Sequence, residues 1–148
     1  MTTILLIYTG GTIGMKEDPV SRALSPFDFS QIMEEVPELR KFAARIDSYT
    51  FDPLIDSSDV EPSLWKSLAG LIKDKYSLYD GFVILHGTDT MAYSASALSF
   101  MLEGLCKPVI FTGSQLPIGT LRTDGRENLV SAVEIASARA DDGAAMVP

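Results

Sequence analysis

Two short polar clusters carry the residue types needed for hydroxyl chemistry: Thr9-Gly10-Gly11-Thr12 and His86-Gly87-Thr88-Asp89-Thr90. Each directly follows an apolar run, residues 4–7 (ILLI) and 82–85 (FVIL), of the kind that forms a buried parallel strand. In an open parallel sheet, ligands bind along the edge made by the carboxyl ends of the strands. That edge brings Thr12, Thr88 and Asp89 together from distant parts of the chain. A threonine hydroxyl is hardly ionised at neutral pH and attacks only with an activating group beside it. A second hydroxyl flanked by a carboxylate supplies such a group, so the pattern points to covalent hydroxyl chemistry.

Each cluster also has a plainer reading. The first could be a glycine turn with threonine as a local cap. It is not a phosphate loop: its glycines are adjacent rather than spaced as G-x-G-x-x-G, and Gly14 is followed by Met15-Lys16-Glu17 rather than Lys-Ser/Thr. In the second, Thr88 or Asp89 could serve as helix N-caps. His86 raises a hydroxyl–His–Asp triad as a rival mechanism, but a lone histidine just after a buried strand is more often a satisfied core residue.

Two further loops weigh against coincidence. Asp56-Ser57-Ser58-Asp59 follows an expected strand over residues 49–55, and Thr112-Gly113-Ser114-Gln115 follows another over 108–111. Ser58-x-x-Glu61 with Pro62 also reads as a capping box. Hydroxyl-rich, acid-bearing loops at four consecutive strand ends suit a small zwitterion. Hydroxyls and backbone N–H groups would take its carboxylate, and an aspartate its ammonium.

Strand-like and helix-like runs alternate along the chain. A strand over residues 3–8 precedes helical spacing over 27–46, split near Pro37, and then the strand over 49–55. Leu64, Leu68, Leu71 and Ile72 mark an amphipathic helix; residues 92–105 and 128–140 read as two more. The order β-α-β-α-β-α-β-α predicts an α/β fold: a doubly wound, mostly parallel sheet with helices on both faces. The segment 16–25 is polar and reads as a movable lid. Residues 144–147 begin another strand, so a truncated domain is expected, with an unpaired edge that favours association.

The 148 residues suit one domain, and 46% hydrophobic with 22% charged residues is the balance of an ordinary globular protein. A net charge of −8 argues against nucleic acid or an anionic membrane as the main partner. One cysteine, Cys106, excludes an internal disulfide and a cysteine-clustered zinc site, and a single histidine leaves little for a transition metal. The apolar start has no basic flank or small-residue cleavage site, and no stretch is apolar enough to span a bilayer; a cytoplasmic location is expected.

Taken together, the paired threonine motifs resemble the bacterial-type L-asparaginases, which convert L-asparagine to L-aspartate and ammonia. The Asp56-Ser57-Ser58-Asp59, Thr112-Gly113-Ser114-Gln115 and Asp124-Gly125 to Asn128-Leu129 stretches look like the cytosolic, type I branch. The resemblance covers residues 1–148 and implies the flavodoxin- or Rossmann-like N-terminal domain of that family, without its C-terminal domain. It implies that Thr12 attacks the side-chain amide to give an acyl-enzyme, and that Thr88 and Asp89 form the second catalytic pair with a lysine located beyond Pro148. Asp89 would also take the substrate's α-ammonium group, and Asp56, Ser57 and Ser58 would line the pocket for its carboxylate and amine. The resemblance further implies a homodimer or homotetramer, and no metal or organic cofactor. Where many members carry a lid tyrosine, this chain has Leu24.

Two other readings stand beside it. One is a catalytically silent amino-acid-binding or interaction module, since neither the lysine nor the second domain falls within residues 1–148. The other is a tRNA-dependent amidotransferase subunit, which shares these motifs but calls for a basic surface that an acidic chain does not offer.

Overall fold

The structure, a computed structural model, describes residues 1–18 and 20–139. Four parallel strands form the central sheet: β1 (Thr2–Tyr8), β4 (Ala44–Thr50), β5 (Gly81–Leu85) and β6 (Val109–Thr112). Their order is β4-β1-β5-β6, with Thr2 opposite Ala44, Ile4 opposite Gly81 and Phe82 opposite Val109. Two short strands, β2 (Met15–Glu17) and β3 (Leu24–Pro26), pair as an antiparallel hairpin outside it. The helices are α1 (Ile32–Glu35), α2 (Pro62–Lys75), α3 (Met91–Met101) and α4 (Asp124–Ser137).

β1 and β5 are covered on both sides, which is why they read as unbroken apolar runs. Alternate residues serve opposite cores. Ile4, Leu6, Val83 and Leu85 pack with Leu129 and Val133 of α4 and with Ile32, Val36 and Leu39. Leu5, Ile7, Phe82 and Ile84 pack with Leu64, Leu68 and Ile72 of α2 and Leu98 of α3. The sheet is therefore doubly wound with helices on both faces, as expected. No described helix is long and apolar enough to cross a membrane.

Several boundaries differ from the sequence reading. The second strand of the sheet spans Ala44–Thr50 rather than 49–55, because its pairing with β1 begins at Ala44. Residues 51–55 turn instead across the end of β1, where Phe51 N–H donates to the Tyr8 carbonyl and Ile55 N–H to that of Thr9, each at 2.9 Å. The helical spacing over 27–46 resolves into one turn of α1 between two 3-10 turns, Phe29–Gln31 and Pro37–Lys41. The expected lid loop is largely the β2–β3 hairpin. The last helix starts at Asp124, four residues before the expected start, because the Thr123 hydroxyl accepts from Gly125 N–H and caps it. The strand expected over 144–147 lies outside the described residues.

Glycines allow the loops at the carboxyl edge to touch. The chain order places the reversal point between β1 and β5, where a crevice opens in folds of this type. Gly10 and Gly11, after β1, have φ of +138° and +91°, which side chains rarely tolerate. A Cβ on Gly11 would lie 2.5 Å from Gly87 N, one on Gly10 would strike the Ile55 carbonyl, and one on Gly87 would strike Ser57. The loops after β1, β4 and β5 thus meet backbone to backbone.

Gly70, on the exposed side of α2, has open space where a Cβ would stand, with nothing within 4 Å. Gly70→Ala should therefore raise stability by about 1 kcal/mol. Gly11→Ala should lower it by at least about 2 kcal/mol through strain and collision. Urea denaturation of both variants checks the pair; equal effects would show that loop contact places no demand on Gly11.

Candidate active site

The crevice holds a cavity of about 460 Å³ lined by Thr12, Asp56, Ser57, Thr88 and Asp89, with Gly10, Gly11 and Gly87 in its wall. Five of the six residues expected to act or bind from sequence therefore share one cavity, drawn from the loops after β1, β4 and β5. The hairpin adds Met15 and Leu24, and the β4 loop adds Leu54 and Ile55. Sequence reasoning misses these four apolar residues as a group, although Leu24 occupies the expected lid position.

Thr12 opens a 3-10 turn, Thr12–Gly14, directly after the two glycines. Beneath it Tyr8 is fully buried, and its hydroxyl donates to the Gly11 carbonyl at 3.1 Å. Burial pushes the Tyr8 pKa up to about 12, so this group remains a donor. The turn before Thr12 is held from the core side while Thr12 is half-exposed at the cavity.

The capping explanations for the second cluster do not survive. Helix α3 begins at Met91, so the cap position belongs to Thr90, whose hydroxyl donates instead to the Ser57 carbonyl at 2.6 Å. Thr88 and Asp89 precede the cap and line the cavity. Nor does the Ser58–Glu61 box form: α2 starts at Pro62, with no side-chain cap at Glu61. Ser58 N–H and Oγ donate to Asp56 Oδ1 at 2.9 and 2.8 Å, closing a separate 3-10 turn, Ser57–Asp59. Ser58 is bonded to Asp56 and is not among the residues lining the cavity. Its backbone N–H first, then its hydroxyl, holds the Asp56 carboxyl below the usual carboxylate range. Ser57 is 6% exposed and offers its side chain to the cavity.

The fourth loop lies behind the site. Thr112 and Ser114 are buried, and Ser114 Oγ donates to the Leu116 carbonyl at 2.6 Å. Of this loop, Gln115 reaches the site residues: its Nε2 donates to Thr88 Oγ1 at 3.2 Å. The sequence marks the loop but not that contact.

His86 is a satisfied core residue. It is 1% exposed, with Nδ1 2.7 Å from the Gly87 carbonyl and Nε2 2.9 Å from Ser94 Oγ. The Gly87 carbonyl can only accept, so the His86 proton sits on Nδ1, and Nε2 accepts from the Ser94 hydroxyl, which itself accepts from Trp65 Nε1 at 2.9 Å. Burial lowers the His86 pKa, against a smaller opposite effect from the Gly87 carbonyl.

That shift has a sign. The unfolded chain binds the His86 proton more readily, so His86 subtracts stability as pH falls through about 6.5 toward its folded pKa. Urea denaturation at pH 7.5 and 5.5 should show a smaller acid loss for His86→Gln than for the native chain. Equal losses would mean that His86 is not held neutral.

A family model described as asparaginase, N-terminal, matches residues 3–147. L-asparaginase 1 of Escherichia coli K12 is 53% identical over 142 residues, covering 91% of this chain and 40% of that relative. The crystal structure of L-asparaginase I from Vibrio cholerae superposes with a TM-score of 0.83 at 48% identity, covering 93% of this chain and 41% of that one. A probable cytoplasmic L-asparaginase from Campylobacter jejuni gives 0.77 at 29% identity, covering 97% and 42%. This chain thus spans about two fifths of the length of these relatives. A likeness that runs through nearly every residue, in both sequence and strand arrangement, makes this chain a member of the asparaginase family.

Proposed function

We propose that this chain is the nucleophile-bearing, N-terminal domain, residues 1–148, of an enzyme that hydrolyses the side-chain amide of L-asparagine to L-aspartate and ammonia. The cavity shared by Thr12, Thr88 and Asp89 carries the reading. Thr12 Oγ attacks the amide carbon, its proton passes to the departing nitrogen, and the C–N bond breaks to leave an ester on Thr12. Water then cleaves the ester, releasing aspartate and restoring the hydroxyl. Thr88 is the second hydroxyl at the cavity, and Asp89 supplies a carboxylate for the substrate's α-ammonium. Asp56 and Ser57 line the remaining wall beside the backbone N–H groups of the glycine turn.

Among the described residues no lysine lines this cavity, and Lys16, near the hairpin, is paired with Glu35 at 2.7 Å. The lysine that the resemblance implies is not among the lining residues. This favours a second reading for the 148-residue chain alone: a unit that binds the amino acid without turning it over. The name of one relative, the probable cytoplasmic L-asparaginase of Campylobacter jejuni, supports a cytoplasmic location. The family resemblance is what supports assembly as a homodimer or homotetramer; Tyr93 and Phe100, 70% and 84% exposed on α3, are apolar surface that such a contact could cover.

In the full-length protein, Thr12→Ala should reduce ammonia release from asparagine by at least about 10³-fold with substrate binding retained. His86→Gln should keep more than about a tenth of the turnover, because its ring serves the fold rather than the reaction. Near-native turnover by the Thr12 variant would remove this nucleophile; loss confined to His86→Gln would revive the triad. For the 148-residue chain, calorimetry should detect asparagine or aspartate binding without ammonia release, and turnover by that chain alone would refute the second reading.

A further inference from the structure

The loop after β6 is pinned more firmly than a wall segment outside the cavity needs. The Asp124 carboxylate at the start of α4 accepts from the backbone N–H of Gln115 at 2.9 Å and of Leu116 at 3.1 Å. Those bonds, the one to Gln115 foremost, hold the Asp124 carboxyl below the usual range. One turn further along α4, Asn128 Nδ2 donates to the Gly113 carbonyl at 2.9 Å. Thr123 Oγ1 donates to the Leu116 carbonyl at 3.1 Å. The backbone from Gly113 to Leu116 is thereby fixed to the helix at four points.

From this anchored loop the Gln115 carboxamide extends to Thr88. Its Nε2 meets Thr88 Oγ1 at 3.2 Å, and a Cβ on Gly113 would stand 3.4 Å from Thr88 Cγ2. Both branches of the Thr88 side chain thus face the fourth loop. Gln115 does not line the cavity, so it touches Thr88 from outside it. An N–H aimed at Oγ1 has three consequences. It holds one rotamer of an otherwise exposed side chain, and it fills one of the two acceptor sites on Oγ1, so the Thr88 proton points away from Gln115 and is free to be given. It also favours negative charge on Oγ1 whenever that proton departs.

We propose that Gln115, held by Asp124, is a positioning residue for the reaction: it orients the Thr88 hydroxyl and fixes it as a proton donor. This rests on the amidohydrolase reading above and acts entirely through Thr88.

The test uses the full-length protein and asparagine. Gln115→Leu removes the donor at similar size and should lower kcat about tenfold while changing KM by less than about twofold. In a Thr88→Val background the same change should have no further effect on kcat, since its target is gone. Gln115→Glu gives a signature that a structural role would not: an ionised carboxylate accepts the Thr88 proton and reverses the bond, whereas the neutral acid can donate. Its kcat relative to the native enzyme should recover as pH falls through about 4–5. If Gln115→Leu does not fold, the Gln115→Glu profile, measured with and without Thr88→Val, decides the matter. Native kcat in Gln115→Leu, or equal losses with and without the Thr88 hydroxyl, would overturn the proposal. If Thr88→Val is inactive while Gln115→Leu is native, this inference alone falls. If Thr12→Ala is itself active, the amidohydrolase reading falls, and this one with it.

Discussion

At the carboxyl edge of the sheet the loops pack closely against one another, and at four junctions the approach is possible because the residue is glycine. Gly10 lies against the Ile55 carbonyl, Gly11 against Gly87, Gly87 against Ser57 and Gly113 against the His86 carbonyl. Interiors transmit displacements because they are close-packed, so one added carbon at any junction moves its neighbour. Thr12 and Thr88 lie one residue beyond Gly11 and Gly87, and Ser57 touches Gly87 directly. The spacing of the reactive groups is therefore set by backbone thickness, the least adjustable dimension available to a protein.

Around those junctions most polar groups fall into two sets, with Asp56 and Thr88 both lining the cavity and bonded to protein partners. Thr9, Thr90, Ser58, Ser114 and His86 are bonded to protein partners and hold the loops. Thr12, Ser57, Thr88 and Asp89 line the cavity. Composition alone does not separate the sets, since both are rich in serine and threonine. Position relative to helix starts does. Thr90 occupies the α3 cap position but spends its hydroxyl on the neighbouring loop, which leaves Thr88 and Asp89 unneeded for capping.

This division explains what is legible in the sequence. β1 and β5 are readable because burial on both faces demands uninterrupted apolar residues. The reactive cluster is readable because glycine and threonine just after such runs have few other uses. β4 escapes local reading because it is an edge strand among the described residues, and the sequence Ala44–Thr50 alternates with charged Arg45 and Asp47. Its limits are fixed by register with β1, which is not a local property. Ser58 is hard to read for a similar reason: its hydroxyl could serve a ligand or Asp56, and in the local turn it donates to Asp56. The Gln115 contact spans 27 residues and depends on where α4 begins, so no pattern near either partner reveals it.

The hydrogen-bonded series from Trp65 through Ser94 to His86 has an experimental consequence. Trp65 is the protein's single tryptophan, and its indole N–H is bonded to a hydroxyl that is itself bonded to the histidine beside Gly87. Ultraviolet emission from this protein is thus a native optical reporter, wired by two hydrogen bonds to the loop that carries the second threonine.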